Sequence, residues 1–172
     1  MELKPVNLYL KKVTEKSAEI LYPYLSDLRL YEYLEDPIPT FAEISHKFKF
    51  AALEKSPDND TMVWLKWVAT NFRQQYVGIV EIGLFEDGYA EIGFMTFVDF
   101  QNQGYAFTYC SLAITEAKQR FGSFTLHASV NEQNLASRKV IDKLGFELYQ
   151  VNKNAEFIKG KQSDELIYRL LV

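Results

Sequence analysis

The chain has 172 residues, 48% of them apolar and 24% charged, with a net charge of −4. That is the globular norm and excludes extended disorder, and the absence of any Lys/Arg run excludes a nucleic-acid footprint. A single cysteine excludes an intrachain disulfide, and no apolar run reaches the ~18 residues of a membrane-spanning helix.

One domain over residues 1–172 is expected, large enough to bury a real core. The stretch MELKPVNLYLKKV carries no signal-peptide core, which points to a cytoplasmic protein without a membrane or nucleic-acid partner. Within it, VNLYLKKV alternates as a strand, with Val6, Leu8 and Leu10 on one face. Thr14 is placed to cap a helix over EKSAEILYPYL, which Pro23 shortens or kinks. DLRLYEYL reads as a short helix. Thr40 and Glu43 have capping-box spacing, so a further helix should run from Phe41 toward Leu53. The segment EKSPDNDT, residues 54–61, is a loop by its turn chemistry.

Three strands follow. TMVWLKWVAT alternates Val63, Leu65 and Trp67 against Trp64, Lys66 and Val68, and YVGIVEIGLF and YAEIGFMTFV flank a hairpin signal at Glu86-Asp87-Gly88. Gly104 to Phe121 reads as a helix with Ala106, Tyr109, Cys110, Ala113 and Ala117 on one stripe. SFTLHASV is a strand, NLASRKVIDKLG a helix capped by Asn134 and ended by Gly145, and FELYQV and DELIYRLLV are closing strands. This order predicts a mixed α/β fold: a mostly antiparallel sheet with helices on both faces.

Chemistry concentrates at the junction FQNQGYAF. A strand hands over to a helix through Gln101, Asn102, Gln103 and Gly104, where successive backbone N–H groups lack intrahelical partners. The helix dipole adds partial positive charge there, and together these make an anion site. An ordinary capped turn has the same local sequence. Glu91, in the middle of an apolar strand, is costly unless it is paired or faces a wet cleft, which makes it a candidate base with Glu81 as fallback; a salt bridge to a neighbouring strand, or exposure near the strand start, is the alternative. Cys110 reads as core, His127 as a wall residue and His46 as part of a solvated face, and no metal site is expected.

The turn has a partner motif. Gln101, Gly104 and Ala106, followed by Asn131, Asn134 and Ser137 and then Lys143-Leu144-Gly145-Phe146, resemble the GNAT acetyltransferase superfamily, nearest its RimJ/RimL-like branch. AEIGFMTF resembles the central strand of that family, and the order of elements is similar over essentially the whole chain. The resemblance implies a splayed pair of parallel strands and an acetyl-CoA-dependent N-acetyltransferase. The acceptor would be a primary amine, on a protein N-terminus or a small molecule, attacking the thioester directly.

By the same resemblance, the pantetheine arm would pair with the backbone of Met95, Thr96, Phe97 and Val98. The pyrophosphate would sit on Gln101, Asn102, Gln103, Gly104, Tyr105, Ala106 and Phe107, and Asn134 would contact the pantetheine near the thioester. Tyr31 and Tyr33 lie in the region that in relatives overhangs the acceptor site, where lining a slot for a cationic amine and packing into the core are the two readings. Many relatives carry a tyrosine acid seven residues after the matching asparagine; Ile141 stands there, so the acid is unassigned. An α-amine is far more available as free base than a lysine amine, which favours an acceptor of low pKa. A non-catalytic acyl-CoA-binding relative is the alternative reading, and homodimers occur among such relatives.

Overall fold

The structure, a computed structural model, describes residues 7–172. Its elements are β1 (Leu8–Lys12), α1 (Ser17–Leu25), α2 (Phe41–Ala52), β2 (Val63–Asn71), β3 (Tyr76–Leu84), β4 (Tyr89–Thr96), α3 (Tyr105–Phe121), β5 (Thr125–Asn131), α4 (Leu135–Lys143), β6 (Glu147–Ile158) and β7 (Lys161–Leu171). The strands form one sheet in the order β1-β2-β3-β4-β5-β7-β6. Every neighbouring pair is antiparallel except β4 and β5, which run parallel. The expected mixed fold is therefore present. Val6, the first residue of the predicted alternation, lies outside the described residues.

Two apolar layers explain why β2 has no polar face. Leu65, Trp67 and Ala69 pack with Tyr109, Cys110, Ala113 and Ala117 of α3 on one side of the sheet. Trp64 and Val68 pack with Leu21, Leu25, Ile44 and Phe48 of α1 and α2 on the other. Lys66 is the charged residue on β2. It is buried, forms an ion pair with Glu81 on β3, and lies over the rings of Phe48 and Trp64 at 5.2 and 5.0 Å, so its charge is both paired and set against aromatic faces.

Helix ends follow local chemistry. Thr40 and Glu43 form the expected reciprocal capping box on α2, and Asn134 caps α4 by accepting from the Ser137 N–H at 3.1 Å. Thr14 does not cap α1, which starts after Lys16. Its N–H instead donates to Ser17 Oγ at 2.8 Å, and its carbonyl accepts from the Ser17 N–H at 2.9 Å, closing a turn that delays the helix. Pro23 sits two residues from the end of α1, where it removes one interior hydrogen bond without stopping the helix. DLRLYEYL contributes only a 3₁₀ turn, Leu28–Tyr31, started by the Asp27 carboxylate accepting from the Arg29 N–H.

The closing hairpin is longer than its apolar runs suggest: β6 and β7 pair out to Ile158 and Lys161. The parallel pair, in contrast, is short. Only Tyr89–Glu91 on β4 face Thr125–His127 on β5. Beyond Glu91, β4 stays paired with β3 while β5 follows β7, and a gap opens between them.

Candidate active site

The gap exposes backbone. The Phe97 N–H donates to Val77 on β3 at 2.9 Å, and the Met95 carbonyl lies close against Gly78 on the same strand. Alternation along the strand therefore turns the backbone groups of Phe94 and Thr96 toward the gap. Gln101 Nε2 donates to the Thr96 carbonyl at 3.1 Å, tying the following turn to the strand end. Phe94 was not singled out from the sequence, because which residues face the gap depends on the register with β3.

One mouth of the gap is a cavity of about 470 Å³ between β4, α3 and α4. Here Gly104 adopts the left-handed conformation at φ 81°, and α3 begins with no side-chain cap, unlike α2 and α4. The N–H groups of its first turn are open to an anion. Lys139 and Lys143 line the same cavity, and the Lys143 ammonium lies 4.2 Å from the ring centre of Phe107.

The other mouth is a cavity of about 590 Å³ bounded by α2, β3, β5 and the chain between the 3₁₀ turn and α2. Its carboxylate residues are Asp36, Glu43, Glu81 and Glu156, against Lys47 and Lys66. Glu81 is tied to Lys66 and passes over Gly93, where a Cβ would lie 3.4 Å from its carboxylate. Glu156 is half-buried and accepts from Asn131 Nδ2 at 2.6 Å. Burial, with lesser effects from Glu165 and Glu35, holds its carboxyl above its ordinary value despite the Asn131 bond. The two cavities share Tyr33, Leu34, Phe94, Met95, Asn134 and Ser137. They meet at the splay.

Of the residues expected at the site, Met95, Thr96, Gln101, Asn102 and Gly104 line the first cavity, as do Tyr105, Ala106, Phe107 and Asn134. Phe97, Val98 and Gln103 do not line it. Phe97 is buried against Tyr24 of α1, Val98 opens a 3₁₀ turn, and the Gln103 side chain donates to the Asp99 carbonyl. Tyr33 lines both cavities. Tyr31 lines the second, its hydroxyl donating to the Leu25 carbonyl at 2.6 Å, and burial raises its pKa.

Glu91 is not brought to the gap. It lies in the closed, paired stretch of β4, exposed, accepting from the Tyr89 hydroxyl at 2.8 Å. Burial, followed by the Glu91 carboxylate, pushes that hydroxyl up to about 12. Glu156, by contrast, was not singled out from the sequence: it lies between FELYQV and DELIYRLLV, in a segment without a predicted element. Cys110 is buried in the α3 core and His127 stacks on Tyr89.

Residues 7–147 match the sequence profile of the acetyltransferase (GNAT) domain. The chain belongs to the GNAT acetyltransferase family. As such it is an acyltransferase, and solved structures agree on the fold. A GNAT-family acetyltransferase from Bacillus anthracis shares 19% identity, with 99% of this chain and 98% of that one covered and a TM-score of 0.77. Spermidine N-acetyltransferase from Vibrio cholerae, solved with CoA and spermine, shares 17% over 96% and 95%, at 0.81. RimL, a ribosomal L7/L12 α-N-protein acetyltransferase solved with coenzyme A, shares 18% over 99% and 97%, at 0.82. No curated protein matches the sequence. Among the described residues this GNAT chain has no helix long and apolar enough to cross a membrane, and no cluster of side chains suited to a metal ion.

Proposed function

We propose that this GNAT protein transfers an acetyl group from acetyl-CoA to a primary amine, on a protein N-terminus or a small cationic molecule. The observation that carries the reading is the junction of two cavities at the splay, one built for an anion and the other rich in carboxylates. The residues present fit the coenzyme. The uncapped start of α3 with Gly104 would hold the pyrophosphate, with Lys139 and Lys143 adding positive charge. The backbone of Phe94 and the Thr96 N–H would pair with the pantetheine amides as an added half-strand, beside the Thr96 carbonyl that Gln101 already occupies. Bound acetyl-CoA supplies an acetyl group already activated as a thioester.

The chain supplies position and proton transfer. Asn134 uses Oδ1 to cap α4, which fixes its side chain at the junction and leaves Nδ2 to donate toward the pantetheine. Glu156 is the base: it lines the acceptor cavity, and its raised proton affinity suits it to take a proton from an ammonium. Glu81, held by Lys66, contributes negative charge to the wall instead. Tyr33 and Ser137 line both cavities with their hydroxyls, and they would be the proton donors available to the thiolate released when the amine displaces it.

Four carboxylates against two lysines suit an acceptor that arrives as a cation. Similarity to enzymes named for spermidine and for a ribosomal protein N-terminus supports an amine acceptor of either size. The test is thiol release from acetyl-CoA with spermidine and with a peptide bearing a free α-amine. Amine-dependent release is expected. Binding of acetyl-CoA without release for any amine contradicts the reading.

A further inference from the structure

Strand β6 does not reach Glu156 in regular register. Asn152 faces Glu165 on β7, but the next paired residue, Glu156, faces Ser163. Lys153, Asn154 and Ala155 therefore stand opposite Asp164 alone, two residues more than a regular ladder holds. In a regular ladder Asn154 would face Ser163, and Glu156 would lie two residues, roughly 7 Å, farther along the strand. It would then be out of reach of Asn131.

Asp164 organises the bulge. Its carboxylate accepts from Lys153 Nζ at 2.5 Å and from the Asn154 N–H at 2.9 Å, and these bonds hold the carboxyl below its ordinary value. Asn154 adopts the left-handed region at φ 50°. From the opposite side, the Asp164 N–H donates to Glu132 Oε1 at 3.1 Å, and its carbonyl accepts from the Glu132 N–H at 3.0 Å. Asp164 is itself buried. One residue thus fixes both the extra turn of β6 and its distance from β5.

We infer that Asp164 is a positioning residue for the reaction: by holding the Lys153–Ala155 bulge it delivers the Glu156 carboxylate to Asn131 and the acceptor cavity. The inference rests on Glu156 acting as the base. Asp164 touches neither substrate nor coenzyme in this account.

The experiment is a double-mutant cycle on kcat/KM with Asp164→Ala, Glu156→Gln and the double variant, each also titrated with acetyl-CoA. A misplaced base is expected to cost about 10²-fold in kcat/KM, mostly in kcat, while acetyl-CoA binds each variant as tightly as the parent. The double variant is expected to be no slower than Glu156→Gln alone. A loss in the double variant equal to the product of the single losses overturns the inference, as does full activity of Asp164→Ala. Full activity of Glu156→Gln removes the base assignment itself and the inference with it. Should Asp164→Ala fail to fold, Asn154 gives the same answer. Asn154→Gly keeps the left-handed backbone and should keep activity, whereas Asn154→Val, strained at positive φ, should lose it with acetyl-CoA affinity intact. Equal activity of the two overturns the inference.

Discussion

Asn131 Nδ2 lies 2.6 Å from Glu156 Oε2 and 2.7 Å from Ser163 Oγ, so one buried amide joins β5, β6 and β7 beside the carboxylate-rich cavity. Its Oδ1 accepts from the Gln133 N–H at 3.0 Å, which fixes which end of the amide faces the carboxylate. Glu156 is held by a donor that neither competes for its proton nor neutralises it.

Glu156→Gln should lower kcat/KM by about 10²-fold or more, the usual contribution of a general base. The parent enzyme should lose activity on the acid side with an apparent pKa above the ordinary value of a glutamate, because the folded carboxyl is shifted upward, chiefly by burial. That limb should vanish in the variant. The stability sign is opposite to that of a salt-bridged acid. The folded state holds the proton more tightly than the unfolded state, so ionised Glu156 costs stability as pH rises past its unfolded pKa. Urea unfolding at neutral pH should find the glutamine variant no less stable than the parent.

Gly104→Ala tests the anion site. No atom lies within 4 Å of a Cβ built there, so the penalty is the left-handed backbone at φ 81° and not a clash. Keeping that geometry costs an alanine about 1–2 kcal/mol. If the helix start relaxes instead, acetyl-CoA affinity should fall by roughly tenfold, read by calorimetry, with the fold intact.

Gly78→Ala should act on the sheet. A Cβ at Gly78 would lie 2.6 Å from the Met95 carbonyl oxygen, a backbone atom that cannot turn away. β3 and β4 must separate, which disturbs the strand edge that borders the gap. Thermal unfolding should show a large drop in Tm, and coenzyme affinity should fall with it.

Glu54 joins three parts of the chain. Its carboxylate pairs with Lys12 of β1 and accepts from both terminal nitrogens of Arg120 on α3, at 2.9 and 2.7 Å. These bonds, Arg120 first, hold its pKa down to about 2. A shift of that size would be worth roughly 3 kcal/mol without screening. The Lys12 and Arg120 side chains are 49% and 36% exposed, so about 1 kcal/mol is expected from Glu54→Gln. Because the folded pKa is depressed, the contribution is full above the unfolded value and fades as pH falls toward 2. The difference between parent and variant should therefore shrink in acid.

The parts of this molecule that were legible in the sequence are those fixed by neighbours along the chain. The Thr40–Glu43 box, the Asn134 cap and the apolar stripe of α3 each depend on spacings of three or four residues, and the turn around Gly104 declared itself by its glycine and the helix behind it. Thr14 misled because it closes a turn with Ser17 instead, and α1 then starts after Lys16 without a side-chain cap. Glu91 stood out because a carboxylate interrupts an apolar strand, yet only the pairing of β4 with β5 reveals that the gap opens after it. Glu156 was hidden for a related reason. Its place depends on a two-residue bulge held by Asp164, and NKNAEF carries neither the alternation of a strand nor the composition of a site.

The coenzyme cleft is probed by calorimetric titration of the purified protein with acetyl-CoA, with dephospho-CoA and NAD as controls. Saturable binding in the micromolar range, weakened in Gly104→Ala and unchanged in Glu156→Gln, is the predicted result. No saturable heat at millimolar acetyl-CoA would contradict the account of the cleft.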